Sequence, residues 1–370
     1  MKVALVVPGG VDRSGTHRVI PVLLWLIERV ARVHELHVFA LRQEPRPATW
    51  ELLGARVHNA GGRVPRPTAL RQLLREHRRS PFHLLHGQWW ISGSVALAAG
   101  RLLRLPVHLH LVGADLAAVP EIGFGMLGTR RGRLRVRAAA ALASHVSASS
   151  RYTVDRAREI GVRAERLPLG VSLADWPPLP PRRRDPARPA RLLFAASLNR
   201  VKDPWTAVRA VAILRQRGME VRLDVVGEDT LGGNVHRLVE ELGLGNAVHF
   251  HGFLPQAELR PWMDAADVLL VTSLHECGPI VAMEAALAGV PTVGTAVGHL
   301  ADWAPDAAVS IPFRDPAAVA DAVAALLGDE ERRLSLAAAA QRRAVEDDAD
   351  ATARRLLEIY ALLTRPTNGR

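Results

Sequence analysis

Two glutamates, Glu276 and Glu284, stand in a stretch that otherwise consists mainly of apolar and small residues. Gly278 and Pro279 lie between them, and proline is favourable as the first residue of a helix. Carboxylates accept hydrogen bonds from hydroxyl groups, and the N–H groups at a helix start bind phosphate. This stretch therefore predicts a site for a ligand that carries both hydroxyls and phosphates.

The elements around the glutamates predict a parallel α/β sheet. An apolar strand at 268–271 precedes the loop with Glu276, and the helix that starts at Pro279 should end at Gly289 before a further strand at 290–293. From residue 191 onward, strands alternate with helices, which is typical of a right-handed, doubly wound sheet. Ligands bind such sheets at the carboxyl ends of the strands, where both glutamates are expected.

The first half of the chain opens with the same arrangement. A strand at 2–8 leads into a turn with Gly10, Ser14 and Gly15, followed by a long helix at 17–33. A glycine loop between a strand and a helix can bind phosphate or sugar, although such loops are also common as plain turns. His110 lies on an alternating strand that points to the same edge. A histidine there is usually structural, but His110 is a candidate for catalysis.

Charge gives a weaker indication of function. The formal net charge is +11 and the isoelectric point about 11.1, with Lys2 and Lys202 as the only lysines. The base composition of a GC-rich genome explains an arginine excess; the alternative is an anionic partner. Two basic stretches, 71–79 and 129–137, favour a surface that contacts anionic lipid or an anionic acceptor.

Cysteine content and hydropathy limit the possible classes of protein. The single cysteine, Cys277, excludes an internal disulfide and indicates a reducing cytoplasm. No apolar run reaches the ~20 residues of a membrane span. Neither a Cys/His pattern nor an Asp-x-Asp pair suggests a metal site.

Proline and arginine mark the boundary between two predicted domains. We expect a first domain at 1–172, a linker at 173–190 and a second domain at 191–349. The last helix, at 350–370, should return and pack on the first domain.

The motifs in order resemble those of glycosyltransferase family 4, whose signature is two glutamates with seven residues between them and Ala after the second. Here these are Glu276, Glu284 and Ala285. Further segments that match the family are Gly113–Asp115, Leu167–Val171, 248–252, 266–268 and 288–291. The resemblance covers most of the chain.

The resemblance implies a GT-B fold, two Rossmann-like domains facing across a cleft, and a retaining transfer of a sugar from a nucleotide-diphosphate sugar to an acceptor hydroxyl. It implies that Glu284 binds the ribose, Glu276 the transferred sugar and Lys202 the departing diphosphate. Further donor-binding candidates are Gly278, Pro279, Ile280, Ser197, Asn199, Arg200, Gly252 and Phe253. No cofactor or metal is expected, and the nucleotide sugar is a co-substrate.

Several positions depart from the family pattern. Gly278-Pro279 replaces an aromatic residue and glycine, Ser197 replaces an arginine, and Val112 replaces a histidine for which His110 is a partial substitute. His299 stands where the family has the second glycine of a turn. These departures concern the geometry of the donor site rather than the fold.

Other functions remain open from the sequence. A different GT-B enzyme, such as a nucleotide-sugar epimerase or a sugar-phosphate synthase, would share the motifs, and so would a non-catalytic homologue that binds sugar nucleotides. A nucleic-acid-binding protein would fit the charge, but no recognition helix, aromatic platform or zinc pattern supports it. We expect a cytoplasmic enzyme of cell-envelope or polysaccharide biosynthesis, with peripheral contact to the inner face of the membrane and an acceptor that is a glycan, a lipid or a small molecule.

Overall fold

The computed structural model describes residues 1–365, which form two α/β units. The first unit comprises Met1–Leu169 together with the chain from Ala349 onward, and the second comprises Gly170–Asp348. The boundary thus falls after Leu169, before the predicted linker at 173–190.

The predicted linker is fastened to the second unit. The Leu179 N–H donates to the Leu287 carbonyl at 2.8 Å, and the Arg182 guanidinium donates to the carbonyls of Asp264 and Ala266 at 3.0 Å each. Composition predicted a linker here, and these hydrogen bonds hold Leu179 and Arg182 of that stretch against the second unit.

The first unit is built on one sheet, with strand order β3-β4-β2-β1-β5-β6-β7-β8 in the described residues. Its strands are β1 (Lys2–Val7), β2 (Glu35–Ala40), β3 (Ala48–Leu52), β4 (Ala55–Asn59), β5 (Leu84–Gln88), β6 (Val107–Leu111), β7 (His145–Ala148) and β8 (Glu165–Arg166). The predicted parallel sheet is present, and it is extended at one edge by β3, a strand that was not predicted and that pairs antiparallel with β4. Leu53 and Gly54, both with positive φ, form the tight turn that joins them.

Helices cover both faces of this sheet. They are α1 (Pro21–Ala31), α2 (Pro65–Arg79), α3 (Trp90–Leu103), α4 (Arg130–Leu142) and α5 (Arg151–Glu159). Alternation along β1 explains the two cores: Ala4 and Val6 pack with residues of α2, α3 and α4, whereas Val3 and Leu5 pack with residues of α1. The predicted helix at 17–33 is shorter, and the one predicted at 71–79 begins earlier, at Pro65, because proline suits a first turn.

The second unit holds a wholly parallel sheet with order β11-β10-β9-β12-β13-β14. Its strands are β9 (Ala190–Ala195), β10 (Val221–Val226), β11 (Val248–Phe250), β12 (Val268–Val271), β13 (Thr292–Thr295) and β14 (Val309–Ile311). This order agrees with the predicted doubly wound sheet.

Seven helices accompany that sheet within the described part of the second unit. They are α6 (Pro204–Gln216), α7 (Asn234–Glu241), α8 (Gln256–Ala265), α9 (Ile280–Leu287), α10 (His299–Trp303), α11 (Pro316–Gly328) and α12 (Glu330–Glu346). The apolar sides of α6, α7 and α11 share one core with the strands, and α9 packs against α12.

The last helix, α13 (Ala349–Leu363), packs against α1 in the first unit. Asp350 accepts a hydrogen bond from Nε of Arg29 at 2.7 Å, and Tyr360 is buried with its hydroxyl 2.7 Å from Nδ1 of His86. The predicted range was 350–370, of which residues 366–370 lie outside the described residues. No helix in residues 1–365 is long and apolar enough to cross a membrane.

Candidate functional site

The sheet order of the second unit brings two loops together. β9 and β12 are hydrogen-bonded neighbours, but the chain leaves β9 toward β10 on one side and leaves β12 toward β13 on the other. The carboxyl ends of β9 and β12 therefore flank a topological switch point, where α/β sheets bind ligands. Lys202 follows β9 and Glu276 follows β12.

Lys202 and Glu276 form an ion pair at this point. Nζ of Lys202 lies 2.5 Å from Oε1 of Glu276, and the Ser273 hydroxyl donates to the same oxygen at 2.7 Å. The two charged side chains are 28% and 14% exposed, so both are reached by solvent. Opposite charges held at a solvent-accessible strand end can bind a ligand that has both an anionic group and hydroxyls.

Further hydrogen bonds fix the loops that carry the pair. The buried Thr272 hydroxyl donates to the carbonyls of Lys202 at 3.0 Å and Asp203 at 2.8 Å, which ties the two loops to each other. Oδ1 of Asn199 accepts from the backbone N–H of Lys202 at 3.0 Å. The position of the lysine is thus set by its backbone as well as by its ion pair.

Glu284 lies on α9 and is buried, with 5% of its surface exposed. Nε2 of Gln256, the first residue of α8, donates to its Oε1 at 2.6 Å. Burial raises the pKa of Glu284 to about 7, although this hydrogen bond partly opposes the rise. A carboxyl with this pKa changes charge near neutral pH and would gain from hydroxyl donors that stabilise its ionised form.

The helix start between the glutamates differs by one residue from the prediction. α9 begins at Ile280, and Pro279 is its N-cap with extended ψ, so the proline does not occupy the first helical turn. The N–H of Ala282 donates to the Pro279 carbonyl at 3.0 Å, whereas the N–H groups of Ile280 and Val281 have no acceptor within the helix and remain suited to phosphate. There is no room for a side chain at Gly278, because a Cβ at this position would lie 2.5 Å from Nε2 of His299.

The remaining donor candidates of the second unit lie in two loops. Ser197 and Arg200 are exposed in the loop after β9. Gly252 and Phe253 lie in the loop after β11, with Phe253 60% exposed. Gln256 links this second loop to Glu284, so the structure connects it to the predicted ribose site.

The N-terminal glycine loop of the first unit is closed by its own side chains. Oε1 of Gln43 accepts from the backbone N–H groups of Gly10 at 2.7 Å and Val11 at 2.9 Å. Oδ1 of Asp12 accepts from the backbone N–H of Ser14 at 3.0 Å. The N–H group of Gly10 is thus already bonded within the chain, and the assignment of this loop to a ligand stays a prediction. Ser14 and Gly15 remain at least partly accessible.

His110 is fully buried in the first unit, unlike the catalytic candidates of the second. Its Nδ1 lies 2.7 Å from the Ser147 hydroxyl and its Nε2 lies 3.3 Å from the Ser149 hydroxyl. Burial lowers the pKa of His110 to about 3, so the ring is neutral at physiological pH. Both ring nitrogens therefore lie within hydrogen-bonding distance of buried serine hydroxyls. This is the structural role that the strand pattern left open as the alternative to catalysis.

Comparison with known proteins identifies the family. The profile of the family described as "Glycosyl transferases group 1" matches residues 180–343, and that of the "Glycosyl transferase 4-like domain" matches residues 20–170. D-inositol 3-phosphate glycosyltransferase of Pseudarthrobacter chlorophenolicus is 31% identical over 309 residues, which cover 79% of this chain and 73% of the relative.

The chain belongs to glycosyltransferase family 4.

Solved structures agree with the fold of this glycosyltransferase. Sucrose-phosphate synthase from Thermosynechococcus elongatus superposes with a TM-score of 0.82 at 21% identity, over 98% of this chain and 99% of that one. Anabaena HepE in complex with UDP-glucose superposes with a TM-score of 0.76 at 18% identity, over 98% and 100% of the two chains. The enzyme thus has the GT-B type of fold, with two parallel-sheet units.

Sequence reasoning missed three polar residues that the structure assigns to these sites in the glycosyltransferase. Ser273 holds Glu276, Gln256 holds Glu284, and Gln43 closes the N-terminal loop. Only the role of Ser273 could have been predicted from local sequence, because Ser273 lies three residues before Glu276. The two glutamines act over 28 and 33 residues, where spacing in the sequence gives no indication.

Residues 1–365 contain no group of three or more His, Cys, Asp or Glu side chains that could hold a metal ion.

Proposed function

We propose that this glycosyltransferase moves a sugar from a nucleotide-diphosphate sugar to an acceptor hydroxyl with retention of the anomeric configuration and without a metal. The observation that carries the proposal is the ion pair between Lys202 and Glu276 at the switch point. Lys202 supplies a cation for a diphosphate, and Glu276, in direct contact with it, supplies a carboxylate for sugar hydroxyls.

The donor would occupy the ends of β9, β12 and the start of α9. Glu284 accepts hydrogen bonds from the ribose hydroxyls, which replace the Gln256 amide seen at 2.6 Å. The N–H groups of Ile280 and Val281, at the start of α9, bind the diphosphate together with Lys202. The loop that carries Lys202 also contributes Ser197, Asn199 and Arg200 to the donor site. Gly252 and Phe253, in the loop after β11, complete it.

Retention and metal independence are proposed from the family resemblance and the local charge. In a retaining transfer of this type, the acceptor hydroxyl attacks on the face of the leaving group, and the departing diphosphate takes its proton. Lys202 neutralises negative charge that develops on that diphosphate, a task for which other transferases use a metal ion. A pre-positioned cation stabilises such charge strongly in a partly desolvated site.

The comparisons guide the choice of substrates to test. HepE is described in complex with UDP and with UDP-glucose, so a uracil nucleotide is the first donor to try. Several relatives are named D-inositol 3-phosphate glycosyltransferases, which makes a phosphorylated polyol a reasonable small-molecule acceptor. We propose a cytoplasmic role in cell-envelope or polysaccharide biosynthesis, with an acceptor that is a glycan, a lipid or a small molecule, and peripheral contact with an anionic membrane surface.

The experiment is nucleotide release from UDP-, GDP- and ADP-linked sugars, with the acceptor panel and with a chelator present. One donor should release its nucleotide in an acceptor-dependent manner, and NMR of the product should show the anomeric configuration of the donor. Glu284→Ala should abolish release from that donor, whereas Glu240→Ala, at an exposed position of α7, should not.

Each result separates the proposal from its rivals. An inverted product or complete loss of activity with the chelator would refute the retaining, metal-free reaction. Conversion of the donor sugar without transfer would identify an epimerase. Donor binding without turnover on any acceptor would identify a non-catalytic homologue, and equal rates for Glu284→Ala and the unaltered enzyme would refute the assignment of the site.

A further inference from the structure

Three neighbouring helices of the first unit carry nearly all of the excess positive charge of the chain. α2 packs against α3 and α3 against α4, and their inner sides share one core on the same face of the first sheet. Together they contain 11 arginines and one acidic residue, Glu76, a net charge of +10, whereas the whole chain carries +11.

This distribution is not what a general compositional bias produces. The chain has 48 Lys and Arg residues and 37 Asp and Glu residues. Once 11 basic residues and one acidic residue are assigned to the three helices, 37 basic and 36 acidic residues remain elsewhere. A GC-rich genome explains why arginine replaces lysine, but it does not explain why three helices that pack side by side contain 11 arginines and a single acidic residue.

The charge on these helices is largely unneutralised within the protein. None of the five arginines of α4 makes an ion pair with a described residue, and they are exposed. Arg133 instead donates from Nε to the Leu127 carbonyl at 2.7 Å. Glu76 is buried and already lies 3.3 Å from Arg79 and 3.7 Å from Lys2.

Large apolar side chains are exposed on the same helices. Leu134 and Leu142 of α4 are 66% and 48% exposed, and Ile91 and Leu102 of α3 are 51% and 64% exposed. Helical spacing places Leu134, Ala138 and Ala141 along one outer stripe of α4, whose opposite side packs through Val136 and Ala139. Arginines stand on both sides of this stripe.

We propose that the outer face of α2, α3 and α4 binds the surface of a bilayer that contains anionic lipids. Arginines on both sides of an apolar stripe suit the boundary between headgroups and acyl chains, because the guanidinium groups reach phosphate while the aliphatic side chains enter the hydrocarbon. A soluble polyanion would use the arginines alone and would leave the leucine and isoleucine side chains in water. The inference names the surface through which the membrane contact proposed above would occur, and it does not depend on the identity of the donor.

The test is co-sedimentation of the full chain with vesicles of phosphatidylcholine alone or of phosphatidylcholine with phosphatidylglycerol. The unaltered protein should bind only the anionic vesicles, and salt should weaken this binding. Arg130→Gln/Arg135→Gln/Arg137→Gln should bind about a hundred-fold more weakly, since each basic residue contributes roughly five-fold. A control with the same change in net charge, Arg183→Gln/Arg188→Gln/Arg217→Gln, should bind like the unaltered protein.

A second variant separates a bilayer from a polyanion at constant charge. Leu134→Gln/Leu142→Gln should lose vesicle binding but keep any binding to a generic DNA duplex. Absence of binding to anionic vesicles, full binding by this variant, or an equal loss in the arginine control would each overturn the proposal. All substituted positions are exposed or half-exposed, and melting temperatures would verify folding. Donor turnover with a water-soluble acceptor should be unchanged in the α4 variants, so failure of vesicle binding is distinct from failure of the proposed transferase activity.

Discussion

The amine of Lys202 lies 2.5 Å from a carboxylate oxygen of Glu276, although 74 residues separate them in the chain. The contact exists because β9 and β12 are neighbours in the second sheet, and both residues lie in the loops that follow those strands. It joins the cation proposed for the diphosphate to the carboxylate proposed for the sugar.

Lys202→Ala should slow sugar transfer by roughly 10²–10³-fold, which is typical for removal of one group that stabilises charge in the transition state. The free energy of unfolding should change by less than about 1 kcal/mol, because ion pairs that are partly exposed to water stabilise proteins weakly. Initial rates and urea denaturation measure the two effects. Arg217→Ala, which removes an ion pair with Asp321 at 2.6 Å, is the control and should keep full activity. An unchanged transfer rate in Lys202→Ala would contradict the proposed role.

Nucleotide binding should release a proton near neutral pH. Burial raises the pKa of Glu284 to about 7, so the carboxyl is partly protonated there, and hydroxyl donors from a ribose would favour its ionised form. Binding should therefore strengthen as pH rises through about 7. Calorimetry in buffers of different ionisation enthalpy measures the release. Glu284→Gln should release no proton from this position, and an unchanged release would show that another group is responsible.

Gly278→Ala should destabilise the protein by about 1–3 kcal/mol, the usual effect of overpacking. The added methyl group would lie 2.5 Å from Nε2 of His299, whereas a methyl group added at Gly245 would have no non-bonded neighbour within 4 Å. Gly245→Ala is thus the matched control. Adding His299→Ala should relieve part of the destabilisation by Gly278→Ala, as a double-mutant cycle on urea denaturation would show. Strict additivity of the two substitutions would mean that they do not interact.

Acid should destabilise the first unit below about pH 6.5, and buried histidines should be the cause. Burial lowers the pKa of His110 to about 3 and lowers the pKa of His86 and His108 well below the usual value. Below that pH the unfolded chain binds protons that the folded chain does not, so the free energy of unfolding falls by up to ~1.4 kcal/mol per pH unit for each histidine.

Two buried carboxyls act in the opposite direction. Burial raises the pKa of Asp115 in the first unit and of Glu284 in the second unit to about 7, so each carboxyl stabilises its own unit as pH falls from 7 toward the pKa of an unfolded carboxyl. Because the histidines cause the loss of stability, His86→Phe should reduce the slope of the free energy of unfolding against pH below about 6.5, by up to ~1.4 kcal/mol per pH unit. His17→Phe, at an exposed position, is the control and should leave this slope unchanged. Urea denaturation across this pH range gives the slope. Equal slopes for His86→Phe and the unaltered protein would exclude His86 as a source.

Short-range features of the chain determined much of the fold. The strand at 268–271 and helix α9 each depend on residues within a few positions of one another. The structure places both of them within one residue of the prediction. β3 was missed because its short hairpin, with positive φ at Leu53 and Gly54, lacks the usual glycine or asparagine at its first turn position.

Only the tertiary structure decided which polar groups meet. Sequence placed Glu284 in an apolar helix but could not supply Gln256, and it placed Gly10 in a turn but could not show that Gln43 occupies its N–H group. The same holds for the 11 arginines, which appear as separate basic stretches until α2, α3 and α4 align on one face of a sheet. Local propensity is encoded in neighbouring residues, whereas the partners of a side chain depend on the order in which distant strands and helices pack.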